Sequence, residues 1–414
     1  MSYVPPHRRV QEDSSSSVRP KLVAPPPLNR NNRGDRVGRS SRVLKPDVDI
    51  KYARNNIRKW FAIDGNGDTS NLLLEFKPFH GESFEHLRDQ KLFTVSANPP
   101  ENGGLEVESN LRSLAINDAS ASKEICERVR DDLREAFHNV LSYIEATKPD
   151  YVKPTFWARF GRILFHGGGL ALHERITVDM LAKTLKGETS LHNPVRKTFD
   201  TNLQKSNFEA LKEKILAGLQ TLEFEEKENY FIQVEDNLRP DVILGLKCVT
   251  NSEDGGQLKL KKIEINPVRH FVADISCVNK FMDLRLILVT KKYLTELSEE
   301  ERDYIGGIVK SACIEKSAKG GLHWPLGGDC VRDRFRVKGS WHRKVTTIVG
   351  KLWTIKLQHV NRAEFKASSG RVSDEVDLKL TSLTKCLRDQ VQWDEENIMN
   401  MLENILEWVW IECL

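Results

Sequence analysis

Between Tyr230 and Thr290 five stretches alternate apolar and polar residues: Tyr230 to Val234, Val242 to Cys248, Leu258 to Ile265, Phe271 to Cys277 and Leu284 to Thr290. Period-two alternation marks strands with two unlike faces, and links this short join antiparallel neighbours. The succession commits the chain to an antiparallel sheet before any other element is placed. In the third stretch Leu258 and Leu260 are out of phase with Ile263 and Ile265, and a β-bulge near Lys261 and Lys262 restores the pattern.

The flanking segments change period. Ile125, Val129, Leu133, Phe137, Val140 and Ile144 recur at three and four and predict a long amphipathic helix from about Ser122 to Ala146. A strand at Phe156 to Phe165 follows, then a short helix over Thr177 to Lys186 that Gly187 stops. Ser206 with Glu209, and Ser298 with Glu301, have capping-box spacing, and Gly320-Gly321 marks the end of the second of these helices. Val376, Leu380, Leu383 and Leu387 predict one C-terminal helix, and Ile398, Leu402, Ile405 and Val409 another. Residues 53–62, with Ile57, Trp60 and Phe61 able to share a face, also read as helix. The expected class is α+β, a mainly antiparallel sheet covered by amphipathic helices.

Charge is unevenly placed. Residues 1–50 hold ten Lys or Arg against five Asp or Glu, so the rest of a chain of net charge +4 is close to neutral. Serine, proline and asparagine runs leave the first 48 residues too little apolar surface to offset chain entropy, which predicts a disordered basic tail. After it, 49–222 read as a mixed helix and strand region and 223–414 as the sheet with its C-terminal helices, either separately or as one composite body 49–414. No apolar run reaches membrane-spanning length, and seven scattered cysteines without a CxxC pair fit free thiols rather than a disulfide framework. Cytosol or nucleus is the expected compartment.

No catalytic motif survives inspection. His166-Gly-Gly-Gly169 lacks the GxSxG elbow that an esterase needs, and His173-Glu174 lacks the second histidine of a zinc protease. Asp64, Asn66, Asp68 and Glu75 have the spacing of a calcium loop, but Thr69 stands at the glycine position and Pro78 blocks an exit helix, which favours a helix-to-strand turn. No cofactor is implied. His166, His173, His323 and His342 could meet in space with a carboxylate in an unrecognised enzyme.

The strongest local signal is Val331 to Lys338. Alternation puts Arg332, Arg334, Arg336 and Lys338 on one face, with Trp324 and Trp341 close by. Such a ridge could place cations on phosphate and rings on the bases of single-stranded RNA, with Arg332, Arg334, Arg336, Lys338 and Trp341 as the contacts. The plainer reading is a solvated strand kept soluble by its charge.

Tyr3, Pro5, Pro6, His7 and Arg8 resemble the YxPPHxR element in the disordered tails of DEAD-box RNA helicases. That element overlaps a motif for the cap-binding translation initiation factor, where Arg8 stands in place of leucine. The prolines hold the segment extended, as a docking peptide for a protein partner. Met1 to Arg8, Lys59 to Ala62, Phe160 to Gly167, Trp324 to Gly327 and Gly339 to His342 together resemble a plant family of uncharacterised proteins, a domain of unknown function. The resemblance implies a plant origin and a non-secreted protein, and brings no activity. The function expected from the sequence is a non-enzymatic binding protein associated with RNA or RNA–protein complexes. The alternative is an adaptor whose tail docks a protein, without nucleic acid or membrane.

Overall fold

The computed structural model describes residues 51–414 apart from 66–68, 70–71, 80–90, 98–109, 148–151, 168–174, 189–194, 219–223, 251–255, 279, 326–333, 366–368 and 392, and apart from the side chains of 110–119, 240 and 369. The described residues form one compact unit. In chain order its strands are β1 (Lys51–Ile63), β2 (Leu73–Pro78), β3 (Phe93–Ala97), β4 (Val152–Gly167), β5 (Arg175–Thr177), β6 (Val195–Asp200), β7 (Phe224–Asp236) and β8 (Arg239–Thr250). There follow β9 (Leu258–Cys277), β10 (Asp283–Leu294), β11 (Cys313–Ile314), β12 (Leu322–His323), β13 (Phe335–Val349), β14 (Thr354–Glu364) and β15 (Ser369–Lys379). The helices are α1 (Asn110–Ala146), α2 (Val178–Lys186), α3 (Lys205–Gly218), α4 (Glu299–Ser311), α5 (Thr381–Arg388) and α6 (Glu395–Trp408).

Eight strands close into a ring. The order β9-β8-β7-β13-β14-β15-β4-β10 returns to β9, and every pairing in it is antiparallel. The expected α+β arrangement, a mainly antiparallel sheet covered by amphipathic helices, is therefore corrected to a closed barrel. Period-two alternation is the same in both cases, because a polar face reads alike whether it meets bulk water or an enclosed lumen. Here the apolar faces point outward. Phe156, Ala158 and Phe160 of β4 and Leu284, Leu286 and Leu288 of β10 join one core with Ile125, Val129, Leu133 and Phe137 of α1 and Leu402 and Ile405 of α6. On the opposite side Tyr230, Ile232, Val234, Leu244 and Leu246 pack with Ile305, Ile308 and Val309 of α4. The helices lie outside, and the polar residues of each strand line a tunnel.

Several local expectations hold. The register shifts where Lys247 opposes Lys262 and Cys248 opposes Leu260, so Lys261 is the extra residue of a bulge. Ser298 accepts from the Glu301 backbone N–H while the Glu301 side chain accepts from the Ser298 N–H. Gly187 ends α2 at φ 76°, a left-handed conformation that favours glycine.

Others are corrected. Residues 53–62 belong to β1, which pairs in parallel with β9. Trp60 and Ala62 enter one core and Phe61 and Ile63 another, so the apolar run is continuous and loses its period of two. The turn after it joins two strands, because β2 follows directly, and Glu75 lies in that ladder opposite Arg175 and Ser96. Helix α4 ends at Ser311, well before Gly320 and Gly321. Those glycines form a strap across β13, where a Cβ on Gly320 would lie 2.3 Å from the Ser340 hydroxyl and one on Gly321 2.5 Å from His342. Val376 is a strand residue of β15 rather than the start of a helix. Trp408 and Trp410 cover the barrel: Trp408 stacks on Trp353 at 4.3 Å and Trp410 is buried beneath Lys280.

Candidate anion site in the barrel tunnel

The inward residues of neighbouring strands fall opposite one another in register and form two charged rungs. Asp274 of β9 faces Arg285 of β10, Arg285 faces Arg159 of β4, Arg159 faces Asp377 of β15, and Asp377 faces Lys356 of β14. In the second rung Lys262 of β9 faces Lys247 of β8, followed by Phe231 of β7, Trp341 of β13, Arg362 of β14 and Arg371 of β15. Each side chain here is fixed by a strand that cannot rotate without exposing its apolar face, so the lumen is pre-organised.

Every carboxylate in the middle of the tunnel is engaged. Glu264 meets Lys262 at 2.5 Å and Lys291 at 3.3 Å. Glu375 takes both guanidinium nitrogens of Arg362 at 2.6 and 3.0 Å and accepts from the Ser373 and Thr201 hydroxyls. Asp377 pairs with Arg159 at 3.0 Å and accepts from Gln358 at 2.8 Å. Although burial pushes both groups up, Lys291 and Lys262 hold Glu264 at about 2 and Arg362 holds Glu375 at about 2.

Three lumen cations have no carboxylate partner among the described residues: Lys247, Arg343 and Lys356. Each lies over an aromatic ring instead, Lys247 5.6 Å and Arg343 4.7 Å from the centroid of Phe231, and Lys356 5.3 Å from that of Trp157. The Arg343 Nε has no hydrogen-bond partner. Burial, then Lys262 and Lys356, push Lys247 down to about 8. Burial also pushes Lys356 down to about 8, against Asp377 and with help from Lys291 and Arg343. Arg343 is lowered to about 10 by burial and by Arg362. These cations therefore act on one another across the lumen. Seven cations, Arg159, Lys247, Lys262, Lys291, Arg343, Lys356 and Arg362, share this section with three carboxylates, Glu264, Glu375 and Asp377. A protein surface relaxes such an excess into water, but a closed wall holds it in place, and the field that results attracts a compact polyanion.

Farther along the tunnel Asp274 is buried between Arg285, at 3.1 Å through Nη2, and Lys197 of β6. Burial pushes this carboxyl up, yet the two cations hold it well below the usual carboxylate range. This cluster ties β6 to the barrel wall.

The residues singled out in the sequence are placed apart. Arg332 lies outside the described residues. Arg334 donates to Glu301 at 2.5 Å and lies 3.6 Å from Asp236, Arg336 is exposed opposite Glu235, and Lys338 sits at the register shift between Val337 and Gly339. Trp341 faces the tunnel, tilted against Phe231 at 6.4 Å. Tyr3, Pro5, Pro6, His7 and Arg8 lie outside the described residues, as do His173 and two of the three glycines of the HGGG turn. His166 lies in β4 opposite Arg196, His323 pairs with Glu315, and His342 pairs with Glu228. Among the described residues no three His, Cys, Asp or Glu side chains converge in a way that could hold a metal ion.

The chain belongs to a family described as a domain of unknown function, DUF7903, whose profile matches residues 45–413. No curated protein matches. Solved structures similar to it include the S. pombe Pct1 RNA triphosphatase in complex with the Spt5 CTD, at 12% identity over 68% of this chain and 93% of that one, TM-score 0.41. The RNA triphosphatase domain of a mimivirus mRNA capping enzyme is similar at 10% identity over 68% and 96%, TM-score 0.32. The adenylyl cyclase HpAC1 from Hippeastrum, with a dominant triphosphatase activity, is similar at 10% identity over 50% and 82%, TM-score 0.25. The expectation of an RNA-associated protein with an exposed basic ridge is corrected by the fold: the charge concentration lies inside a closed eight-stranded barrel. The lumen residues come one or two per strand over more than two hundred positions of sequence, so no local motif marks them.

Proposed function

We propose that the tunnel binds the phosphate chain of a triphosphate and hydrolyses its phosphoanhydride. The observation that carries the reading is the set of three lumen cations, Lys247, Arg343 and Lys356, that have no carboxylate partner among the described residues and act on one another across the barrel. An elongated chain of phosphates places an oxygen beside each without disturbing the engaged carboxylates. Charge that builds on the phosphoryl oxygens in the transition state meets donors already in position, which is where such sites gain most of their rate.

In the step itself a water oxygen bonds to the terminal phosphorus while the bridging P–O bond breaks, and that bond's electron pair leaves with the bridging oxygen. Asp377, adjacent to Lys356 in register, keeps Gln358 on Oδ2 and has a buried Oδ1 that accepts no hydrogen bond; that oxygen is assigned to orient the water and take its proton. A lysine held at about 8 is charged at neutral pH and can return a proton to the leaving phosphate, and Lys356 is the one so placed. A plant source and a cytosolic or nuclear place belong to the same proposal and rest on the sequence.

Orthophosphate release measured with tripolyphosphate, ATP and a 5′-triphosphorylated RNA is the test. The full chain is expected to release phosphate from at least one of the three, and a Lys356→Met chain to lose that release. No release above the blank from any of them would overturn hydrolysis.

A further inference from the structure

We infer that the tunnel grips its anion through side-chain cations alone, with no divalent metal ion bridging protein and phosphate. The inference rests on the proposed anion site and goes beyond it, because a phosphate chain is commonly held through Mg²⁺ bound to one or two carboxylates. The donor set does not fit that arrangement. A cation at Glu375 would displace a two-nitrogen guanidinium contact and two hydroxyl donors. At Glu264 it would displace two lysines, and at Asp377 an arginine and the Gln358 amide. Each of these exchanges also strands a lumen cation beside the incoming one.

The surrounding charge opposes a metal ion as well. Lys247, Arg343 and Lys356 already supply, from three different strands, the positive charge that a bridging ion would bring. The rings of Phe231 and Trp157 support them from the wall side. A fixed ammonium or guanidinium does the electrostatic work of the ion and leaves nothing to be recruited from solution.

Calorimetric titration of tripolyphosphate onto the full chain in EDTA and then in excess MgCl₂ tests this. Binding is expected in EDTA, and Mg²⁺ is expected to weaken it severalfold, because the free ion takes charge from the ligand before the tunnel can. Binding that requires Mg²⁺, or that tightens about tenfold or more with it, would overturn the inference and leave the anion site standing. Absence of binding in both arms would remove the anion site itself. A Glu264→Gln chain separates the roles further: releasing Lys262 and Lys291 should tighten binding in EDTA, whereas a metal-ligand role for Glu264 would leave the EDTA arm unchanged and abolish binding that depends on Mg²⁺.

Discussion

A chain carrying Lys247→Met, Arg343→Met and Lys356→Met together should melt at a higher temperature than the wild type and bind tripolyphosphate about 100-fold more weakly or worse. The two effects have one cause. Three like charges enclosed by a barrel wall without carboxylate partners repel one another and are partly desolvated, a cost the free protein carries until an anion arrives. Methionine keeps the stem volume and the contact with Phe231 and Trp157 while removing the charge. Lumen water screens part of the repulsion, so the gain in stability is on the order of 1–2 kcal/mol, well below what three buried charges would give in a dry core. Thermal melting together with binding isotherms checks both parts. A variant that melts lower, or that binds as well as the wild type, would show that these cations are structural. Function and stability are thus opposed at this site, as is usual where a protein holds a charge for a ligand.

The second large effect has the opposite sign. Asp274→Asn is expected to cost roughly 3 kcal/mol of stability, because breaking a buried pair leaves the remaining charges uncompensated. Asp274 is 1% exposed and satisfies both Arg285 and Lys197, so a neutral amide strands two cations at once. Since the carboxyl is held well below the usual range, its contribution is present above the unfolded pKa near 4 and is lost as pH falls through the depressed native value. Acid unfolding of the wild type should therefore be shifted toward neutral pH in the variant. Equal denaturation midpoints for the two chains would mean that Lys197 and Arg285 are solvated through the tunnel and need no partner.

The amphipathic elements were legible in the sequence because each has one apolar face against one core. Helix α1, the bulge at Lys261 and the Ser298–Glu301 cap follow from spacing alone. Strand β1 was not legible, since Trp60 and Phe61 enter different cores and its pattern carries no period. Closure was not legible either. It depends on β4 meeting both β10 and β15 across more than a hundred residues, and polar residues bound for a tunnel look like polar residues bound for water. The same ambiguity displaced the candidate site. Arg334 and Arg336 stand out as a dense local run, yet Arg334 is neutralised by Glu301 and Asp236. Lys247, Arg343 and Lys356 are single cations on separate strands. One trace of them was present: Lys247, Lys262 and Lys356 each alternate with apolar neighbours, Leu246 and Cys248, Ile263, and Ile355 and Leu357, and three strands with cations in that phase are what a basic lumen requires.

The most direct test is calorimetric titration of tripolyphosphate onto the full chain at pH 8.5, run in two buffers of different ionisation enthalpy. Lys247 and Lys356 are held at about 8, below their unfolded value near 10.4, so in the free protein both are partly neutral at this pH. In that window the unfolded chain binds more protons than the folded one, and the stability of the free protein rises from pH 8 toward 10. A bound polyanion favours the ammonium forms and raises both values again. The expected result is saturable binding at one site with uptake of about one to two protons, weakening as pH or salt rises. No binding at low salt, or binding without proton uptake that persists in the triple methionine chain, would contradict the assignment of the tunnel as the anion site.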